Sequence, residues 1–235
     1  MENVFSFFDK IYCINLSSRK DRWNNCEKQF IDFNILDKVQ RFEAIKFNNK
    51  NLSAKANAQI GCTLSHYNIL KEAKDKKYSK ILVLEDDFSF TKSFDYTNIK
   101  LKQSANELPE NWDIFYFGAY FVKGYDYESI EKYSENLFKV NTGFCTHALS
   151  YSLNGINKIL EDLKLETEKE ILYFSNEFEV IDWYLVRYFQ KENNCFAINE
   201  LICEQSSGFS DIENHFFDYH DMFVRSYDLV KCNNL

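Results

Sequence analysis

The hydrophobic positions of this chain follow two rhythms. Ile11-Tyr12-Cys13-Ile14 and Ile81-Leu82-Val83-Leu84 are unbroken apolar runs. Runs of this length read as strands buried on both faces, as inside a parallel sheet. Between them the spacing becomes helical. Trp23, Cys26, Phe30 and Phe33 form one stripe, for which Ser17-Ser18 offers an N-cap. Ile60, Leu64, Tyr67, Leu70 and Ala73 form a second stripe, predicting a helix over residues 58–73. A short strand is predicted over 39–47 and an Asn- and Lys-rich loop over 48–57. Strand, polar turn, helix and strand in succession open a βαβ unit.

The second half is more broken. It predicts a weak helix over 94–107, a turn over 108–111 and a mostly buried strand over 112–119. A polar and aromatic excursion covers 124–136, and two short strands flank Gly143 within 138–152. Ile156, Ile159, Leu160 and Leu163 mark a helix, and 165–179 reads as an acidic connection. A helix begins at Asp182, a last strand covers 195–203, and an irregular tail starts at Glu204. Neither a repeat nor a boundary composition interrupts the chain. The expected architecture is one α/β domain over 1–235, with a central, mostly parallel sheet flanked by helices.

Composition narrows the function. The net charge of −8 disfavours a nucleic-acid binder, so no nucleic-acid partner is expected. Seven Cys, an odd number without a CxxC pair, fit reduced and packed thiols better than a disulfide framework or zinc motif. The single Pro and six Gly argue against long disordered linkers. The N-terminus has no basic region followed by an apolar stretch, and no run approaches the ~18 apolar residues of a membrane span. A cytoplasmic protein is expected.

The chemistry gathers at Glu85-Asp86-Asp87, directly after the apolar run at 81–84. Ligands of open α/β sheets bind outside the carboxyl ends of strands. Adjacent carboxylates repel one another, and oxygen ligands suit Mg2+ or Mn2+ carrying substrate phosphates. Alternate residues of an extended chain face one way, so Glu85 and Asp87 can face an ion while Asp86 holds the turn. An acidic turn that merely ends the strand is the plainer reading. Asn15, Arg19 and Arg22 follow the first strand, and cations at a helix start oppose its dipole, which hints at an anionic ligand. Gly61, Ser65 and His66 sit on an apolar helix, where a lone His is more often a core residue than a catalyst. Asp182 could be a simple first-turn acid. GxSxG, HExxH and P-loop signatures are missing.

Ile14-Asn15-Leu16 with Arg19 and Arg22, then Ile60-Gly61-Cys62 with Ser65-His66, then Leu82-Val83-Leu84-Glu85-Asp86-Asp87, resembles glycosyltransferase family 25. That family groups lipopolysaccharide-type galactosyltransferases with collagen galactosyltransferases. Trp112-Asp113, the Asp182 helix and Gln205 with Ser210-Asp211-Ile212 look like its later landmarks, more loosely. The resemblance implies a GT-A-like, Rossmann-like fold and an inverting transfer of a hexose, galactose first, from a UDP-sugar, usually with Mn2+. Asp87 and Glu85 would contact the metal. Asn15, Leu16, Arg19, Arg22, Gly61, Ser65, His66, Glu85 and Asp86 would line the donor site. Asp182, or second Asp211, would be the base, and His215 or His220 could complete the metal shell. Residues 10–118 would bind the nucleotide, 119–212 would face the acceptor, and 213–235 would form a tail. The acceptor would be a saccharide or glycoconjugate such as lipopolysaccharide, lipooligosaccharide or a glycoprotein glycan. A lipid-linked acceptor would bring the chain to a membrane surface. Two rivals stand beside this reading. A Mg2+-dependent phosphotransfer or receiver-type domain would need a partner Lys at a later strand end, and none is evident. A non-catalytic nucleotide-sugar or glycan-binding module would keep the Arg residues and lose the base.

Overall fold

A computed structural model describes residues 3–121, 130–210 and 215–233. The first half alternates strand and helix: β1 (Lys10–Asn15), α1 (Lys20–Asp32), β2 (Val39–Glu43), α2 (Ala54–Asp75) and β3 (Lys80–Glu85). β4 (Phe88–Phe90), α3 (Phe94–Glu107) and β5 (Ile114–Tyr116) follow. Then come β6 (Ile130–Lys132), β7 (Leu137–Val140), β8 (Ala148–Ser152), α4 (Leu153–Asp162), α5 (Glu168–Phe178) and α6 (Ile181–Tyr184). A π-helical turn (Leu185–Phe189) joins α6 to α7 (Gln190–Glu192), before β9 (Cys195–Ile198), β10 (Cys203–Gln205), β11 (Gly208–Ser210), β12 (His215–Phe217) and α8 (His220–Asn233).

Eight strands form the main sheet in the order β2-β1-β3-β8-β5-β9-β7-β6. β1 lies between β2 and β3, parallel to both. β8 runs antiparallel between β3 and β5, and β9 runs parallel to β5. β7 and β6 close the far edge as an antiparallel pair. Strands β1, β2, β3, β5, β6 and β9 therefore point one way and β7 and β8 the other, which is the mostly parallel sheet expected. β4 and β10 form a separate antiparallel pair, as do β11 and β12.

The apolar runs behave as doubly buried strands. On β3, Ile81 and Val83 enter the core under α2 and α4, while Leu82 and Leu84 enter the core on the opposite face with Phe30 of α1. On β1, Tyr12 and Ile14 take the first side and Ile11 and Cys13 the second. This period-two split follows from the pleat, and both faces are dry because helices cover both.

Several boundaries differ from the sequence reading. Arg19, not Ser17 or Ser18, is the N-cap of α1, because a turn closed by Arg19 N–H on Leu16 O at 2.9 Å comes first. α2 starts at Ala54, capped by the Ser53 side chain accepting from Ala56 N–H. The supposed acidic connection contains α5, held by a capping box in which Thr167 and Glu170 satisfy each other's backbone N–H groups. The single strand expected over 195–203 is two strands, β9 and β10, in different sheets. The tail is not irregular: α8 buries Phe223, Tyr227 and Val230, and Tyr227 Oη accepts a hydrogen bond from Ala119 N–H at 3.3 Å. All seven cysteines are free thiols, as the odd count suggested.

Asp113, at the start of β5, ties three elements together. It is fully buried, and it accepts from Lys158 Nζ at 2.7 Å and Asn154 Nδ2 at 2.6 Å on α4, and from Asn194 N–H at 2.9 Å before β9. Removing the carboxylate leaves the Lys158 ammonium, the Asn154 amide and the Asn194 N–H without their acceptor at a fully buried position. Asp113→Ala is expected to cost about 3 kcal/mol of unfolding free energy, read as a lower urea midpoint. An unchanged midpoint would show that the cluster contributes nothing.

Candidate active site

β1 and β3 lie parallel in a register that sets Ile14 beside Glu85. Their carboxyl ends open on a cavity of about 500 Å3. Ile14, Leu16, Ala44, Phe47, Ala54 and Ala58 make its apolar wall. Arg22 and Lys46 with Glu85, Asp86 and Asp87 make its ionic wall, closed by Gln205. A volume of this order, apolar with a few convergent polar groups, is that of a small-molecule site.

The three carboxylates have different surroundings. Asp86 is saturated: it accepts from Arg22 Nη1 at 2.7 Å and from the buried Asn15 Nδ2 at 2.6 Å. Arg41 in turn donates to Asn15 Oδ1 and stacks over Trp23. Asp86 thus fastens the β3 turn to β1 and α1. Glu85 Oε1 accepts from Thr146 Oγ1 at 2.5 Å and lies 3.0 Å from His66 Nε2. Burial pushes the Glu85 carboxyl up, but the His66 hydrogen bond and charge, with Thr146, outweigh it and hold it below the usual range. An ionised carboxylate only accepts, so the shared proton belongs to His66 Nε2. Asp87 is the least satisfied. Its Oδ2 accepts from Gln205 Nε2 at 2.9 Å and lies 3.6 Å from Arg22 Nη1, whereas its Oδ1 is buried without a hydrogen-bond partner among the described residues. Burial, then the charge of Glu85, pushes Asp87 up to about 7 against the pull of Arg22. A divalent cation at the cavity edge would reverse both causes, and carboxylate oxygens are the donors that Mg2+ and Mn2+ prefer. The residues present therefore fit such an ion.

Asp182, at the start of α6, is not among the residues lining this cavity or the smaller one beside it, but it lies close enough to Glu85 to feel its charge. Ile181 N–H donates to Thr63 Oγ1 at 3.0 Å, which anchors the helix against α2. Cys145 N–H donates to both carboxylate oxygens of Asp182 at 3.1 Å. Burial pushes Asp182 up to about 7; the Cys145 N–H opposes this and the charge of Glu85 adds to it. The backbone around Asp182 is unusual on three counts. Cys145 has φ 77°. Glu179 has φ 64° and ψ −58° in a three-residue γ-turn closed by Val180 N–H on Phe178 O at 2.7 Å. The helix then passes through the π turn Leu185–Phe189. The other two non-glycine residues with positive φ among those described, Asn34 and Lys77, lie just past helix ends, where that conformation is ordinary. Strained backbone and π turns cluster at functional sites, and here they converge on one carboxylate.

The remaining candidates separate into groups. Leu16, Gly61 and Ser65 line the cavity. Gly61 and Ser65 act by docking its wall: a Cβ on Gly61 would lie 2.4 Å from Ile45 O, and Ser65 Oγ accepts from Ile45 N–H at 2.8 Å and donates to Gly61 O at 2.7 Å. Arg19 parts from Arg22. It faces a neighbouring cavity of about 210 Å3 that also reaches Arg22, Asp86, Asp87 and Ser207, and its guanidinium holds Asp21 at 2.9 Å. His215 and His220 line neither cavity; His220 Nδ1 pairs with Glu204 at 2.8 Å. Asp211 lies outside the described residues. The sequence reading passed over Arg41, Thr146 and Cys145, because no spacing links them to the residues they touch.

An acid-tipped strand beside a nucleotide-sized cavity, in a mostly parallel sheet between two helical layers, defines a GT-A-like protein. Residues 8–164 match the profile of Glycosyltransferase family 25 (LPS biosynthesis protein), and the chain belongs to that family. It is 28% identical over 171 residues to human procollagen galactosyltransferase 2, covering 65% of this chain and 27% of that protein. It is 28% identical over 174 residues to a glycosyltransferase 25 family member of Drosophila melanogaster, covering 65% and 28%. It is 26% identical over 216 residues to procollagen galactosyltransferase 1-B of Xenopus laevis, covering 83% and 35%. The chain thus spans about a third or less of these relatives. Similarity to solved structures is more distant. A197 from STIV has a TM-score of 0.42 at 12% identity, covering 88% of this chain and 91% of that one. A glycosyltransferase involved in the glycosylation of the major capsid of PBCV-1 has a TM-score of 0.41 at 12% identity, covering 87% and 95%.

The left-handed Cys145 gives a direct test of the Asp182 environment. Cys145→Gly keeps the N–H and accepts the φ, so stability should stay within about 1 kcal/mol of the native chain. Cys145→Val sets a β-branched residue at φ 77° and should cost about 2 kcal/mol or more. Equal denaturation midpoints for the two variants would show that this backbone is not strained.

Proposed function

We propose that this chain is a metal-dependent inverting glycosyltransferase that moves a hexose, galactose first among candidates, from a UDP-sugar to a hydroxyl of a saccharide or glycoconjugate. The observation that carries the reading is Asp87, whose Oδ1 has no hydrogen-bond partner among the described residues at the ionic edge of the nucleotide-sized cavity. Family membership and the names of the relatives support the reaction class and the sugar.

Each residue has a task the geometry supports. The apolar wall from Ile14 to Ala58 would bury the base and ribose. Three carboxylates at the cavity edge would repel a diphosphate, and Arg22 is already engaged by Asp86. Asp87 and Glu85 would hold a Mn2+ or Mg2+ ion, which when bound neutralises the diphosphate and the charge growing on the departing UDP. Asp86, Asn15 and Arg22 keep the turn in place, and His66 and Thr146 aim Glu85. Asp182 would take the proton of the acceptor hydroxyl as that oxygen attacks the anomeric carbon from the opposite face. A base that titrates near the working pH suits this task. Lipid-linked saccharides are among the acceptors proposed, and these would place a cytoplasmic chain at a membrane surface. No helix among the described residues is long and apolar enough to cross a membrane.

Two outcomes test the reading. Asp87→Ala should lower galactosyl transfer from UDP-galactose with Mn2+ at least about a thousandfold while leaving the far-ultraviolet spectrum native. Full activity in that variant would overturn the proposal. The second test is the pH profile. Asp182 must be ionised to accept a proton and titrates at about 7, so the rate should fall as pH drops through that value and level off above it. Asp182→Asn should remove this limb together with most of the rate. A native profile flat across neutrality would exclude Asp182 as the base.

A further inference from the structure

A second set of metal-binding groups adjoins the carboxylates. Cys62 and His66 are four residues apart on α2, which places them on one helix face, and Glu85 meets them at the end of β3. One ligand atom from each of the three lies within 4.8 Å of the others. Cys62 and Glu85 are partly exposed on the cavity wall, so an ion can reach them from the cavity, while His66 is fully buried behind them.

We propose that Cys62, His66 and Glu85 form a second cation site, selective for a softer divalent ion such as Zn2+, that shares Glu85 with the donor-cation site. The donor set argues for the ion. Sulfur, imidazole nitrogen and one carboxylate oxygen suit Zn2+, whereas Asp87 offers only the hard oxygen preferred by Mg2+ and Mn2+. Three protein ligands leave the fourth tetrahedral position toward the cavity, for water or a ligand. The four-residue spacing is the one that lets two side chains of a helix hold a single Zn2+. Thr146 Oγ1, donating to Glu85 Oε1 at 2.5 Å, fixes the carboxylate from behind, as outer partners of metal ligands do.

The protons balance simply. Binding forms metal–sulfur, metal–nitrogen and metal–oxygen bonds, and the Cys62 thiol releases one proton to solvent. The imidazole binds through Nε2 as the neutral ring: the Nε2 proton moves to Nδ1 if the ring starts neutral and to solvent if it starts as the imidazolium, and Nδ1 has no hydrogen-bond partner among the described residues, so none is broken there. The contact replaced is the 3.0 Å hydrogen bond between His66 and Glu85, whose two atoms become neighbouring ligands. Because one carboxylate cannot serve both ions fully, the soft ion should antagonise the hard one. That consequence rests on the proposed transferase reading; the site itself does not.

Co2+ is the probe, since it takes Zn2+ geometries and colours when a thiolate binds it. Titrated into the 235-residue chain, Co2+ should produce a thiolate-to-metal absorption band saturating at one equivalent, abolished by Zn2+ added in turn. Cys62→Ser should remove the band, His66→Gln should weaken Co2+ binding at least tenfold, and Cys232→Ser, at an exposed cysteine, should leave both unchanged. A companion measurement needs no variant: Zn2+ should suppress alkylation of Cys62 in the native chain, by peptide mapping, and spare the exposed Cys232. No band in the native chain, a band that survives Cys62→Ser, or alkylation of Cys62 indifferent to Zn2+ would each overturn the site. In transfer assays, Zn2+ inhibition should be relieved by raising Mn2+. A chain that shows the band but never transfers sugar would refute the proposed function alone. A chain that transfers sugar but shows no band would refute this site alone.

Discussion

Mutual repulsion among three carboxylates at the tip of one buried strand is the constraint on which the rest of this site depends. Glu85, Asp86 and Asp87 cannot all stay ionised at the edge of a cavity unless each has a counterweight. Asp86 has Arg22 and Asn15, and Glu85 has His66 and Thr146. Asp87 has a partial share of Arg22 and the amide of Gln205, with one oxygen left over. The distribution is uneven. Asp86 is held on both oxygens, Glu85 is fixed by His66 and Thr146, and Asp87 keeps one oxygen without a hydrogen-bond partner among the described residues, which is the asymmetry the proposed cation roles rest on. Elements far apart in sequence exist to supply these counterweights: α1 carries Arg22, α2 carries His66, and β10 carries Gln205.

Asp182 is governed by backbone rather than side chains. A bifurcated N–H from a left-handed Cys145 fixes its two oxygens, and a γ-turn and a π turn bracket the short helix that bears it. Such conformations persist only where surrounding packing over-determines them. Here the packing comes from Phe174, Phe178 and Tyr184, whose rings contact one another beneath α6. Asp87 and Asp182 are then coupled by charge through Glu85, whose ionised carboxylate raises both.

How much of this could be read from the residues varies by element. The strands β1 and β3 were evident because an apolar run buried on both faces has no other soluble home. The helix α3 was predicted with the bounds it has, 94–107. Helix α5 was missed although Thr167 and Glu170 have the spacing of a capping box; its acidic surface masked the pattern. Helix α8 was missed because its buried face, Phe223, Tyr227 and Val230, is narrow and its surroundings polar. Arg19 and Arg22 were expected to act together; both line the smaller cavity, and of the two Arg22 alone also lines the larger one. Gly61 and Ser65 reach the cavity, yet their own contacts hold the 44–47 segment against α2.

By itself the sequence determined the buried strands, the helices packed on them and the acids at the strand tip, because burial and period are local properties written in consecutive residues. It also carried the family, in the order of its motifs from Asn15 to Asp87. Only the tertiary structure decided which acid is satisfied, which keeps an unpartnered oxygen among the described residues, and which backbone N–H steadies Asp182. Those outcomes depend on distances between residues far apart in the chain, such as His66 with Glu85, 19 positions apart, and Asp87 with Gln205, 118 positions apart. Electrostatic and hydrogen-bond energies follow separation in space, and no pattern of neighbours along the chain encodes it.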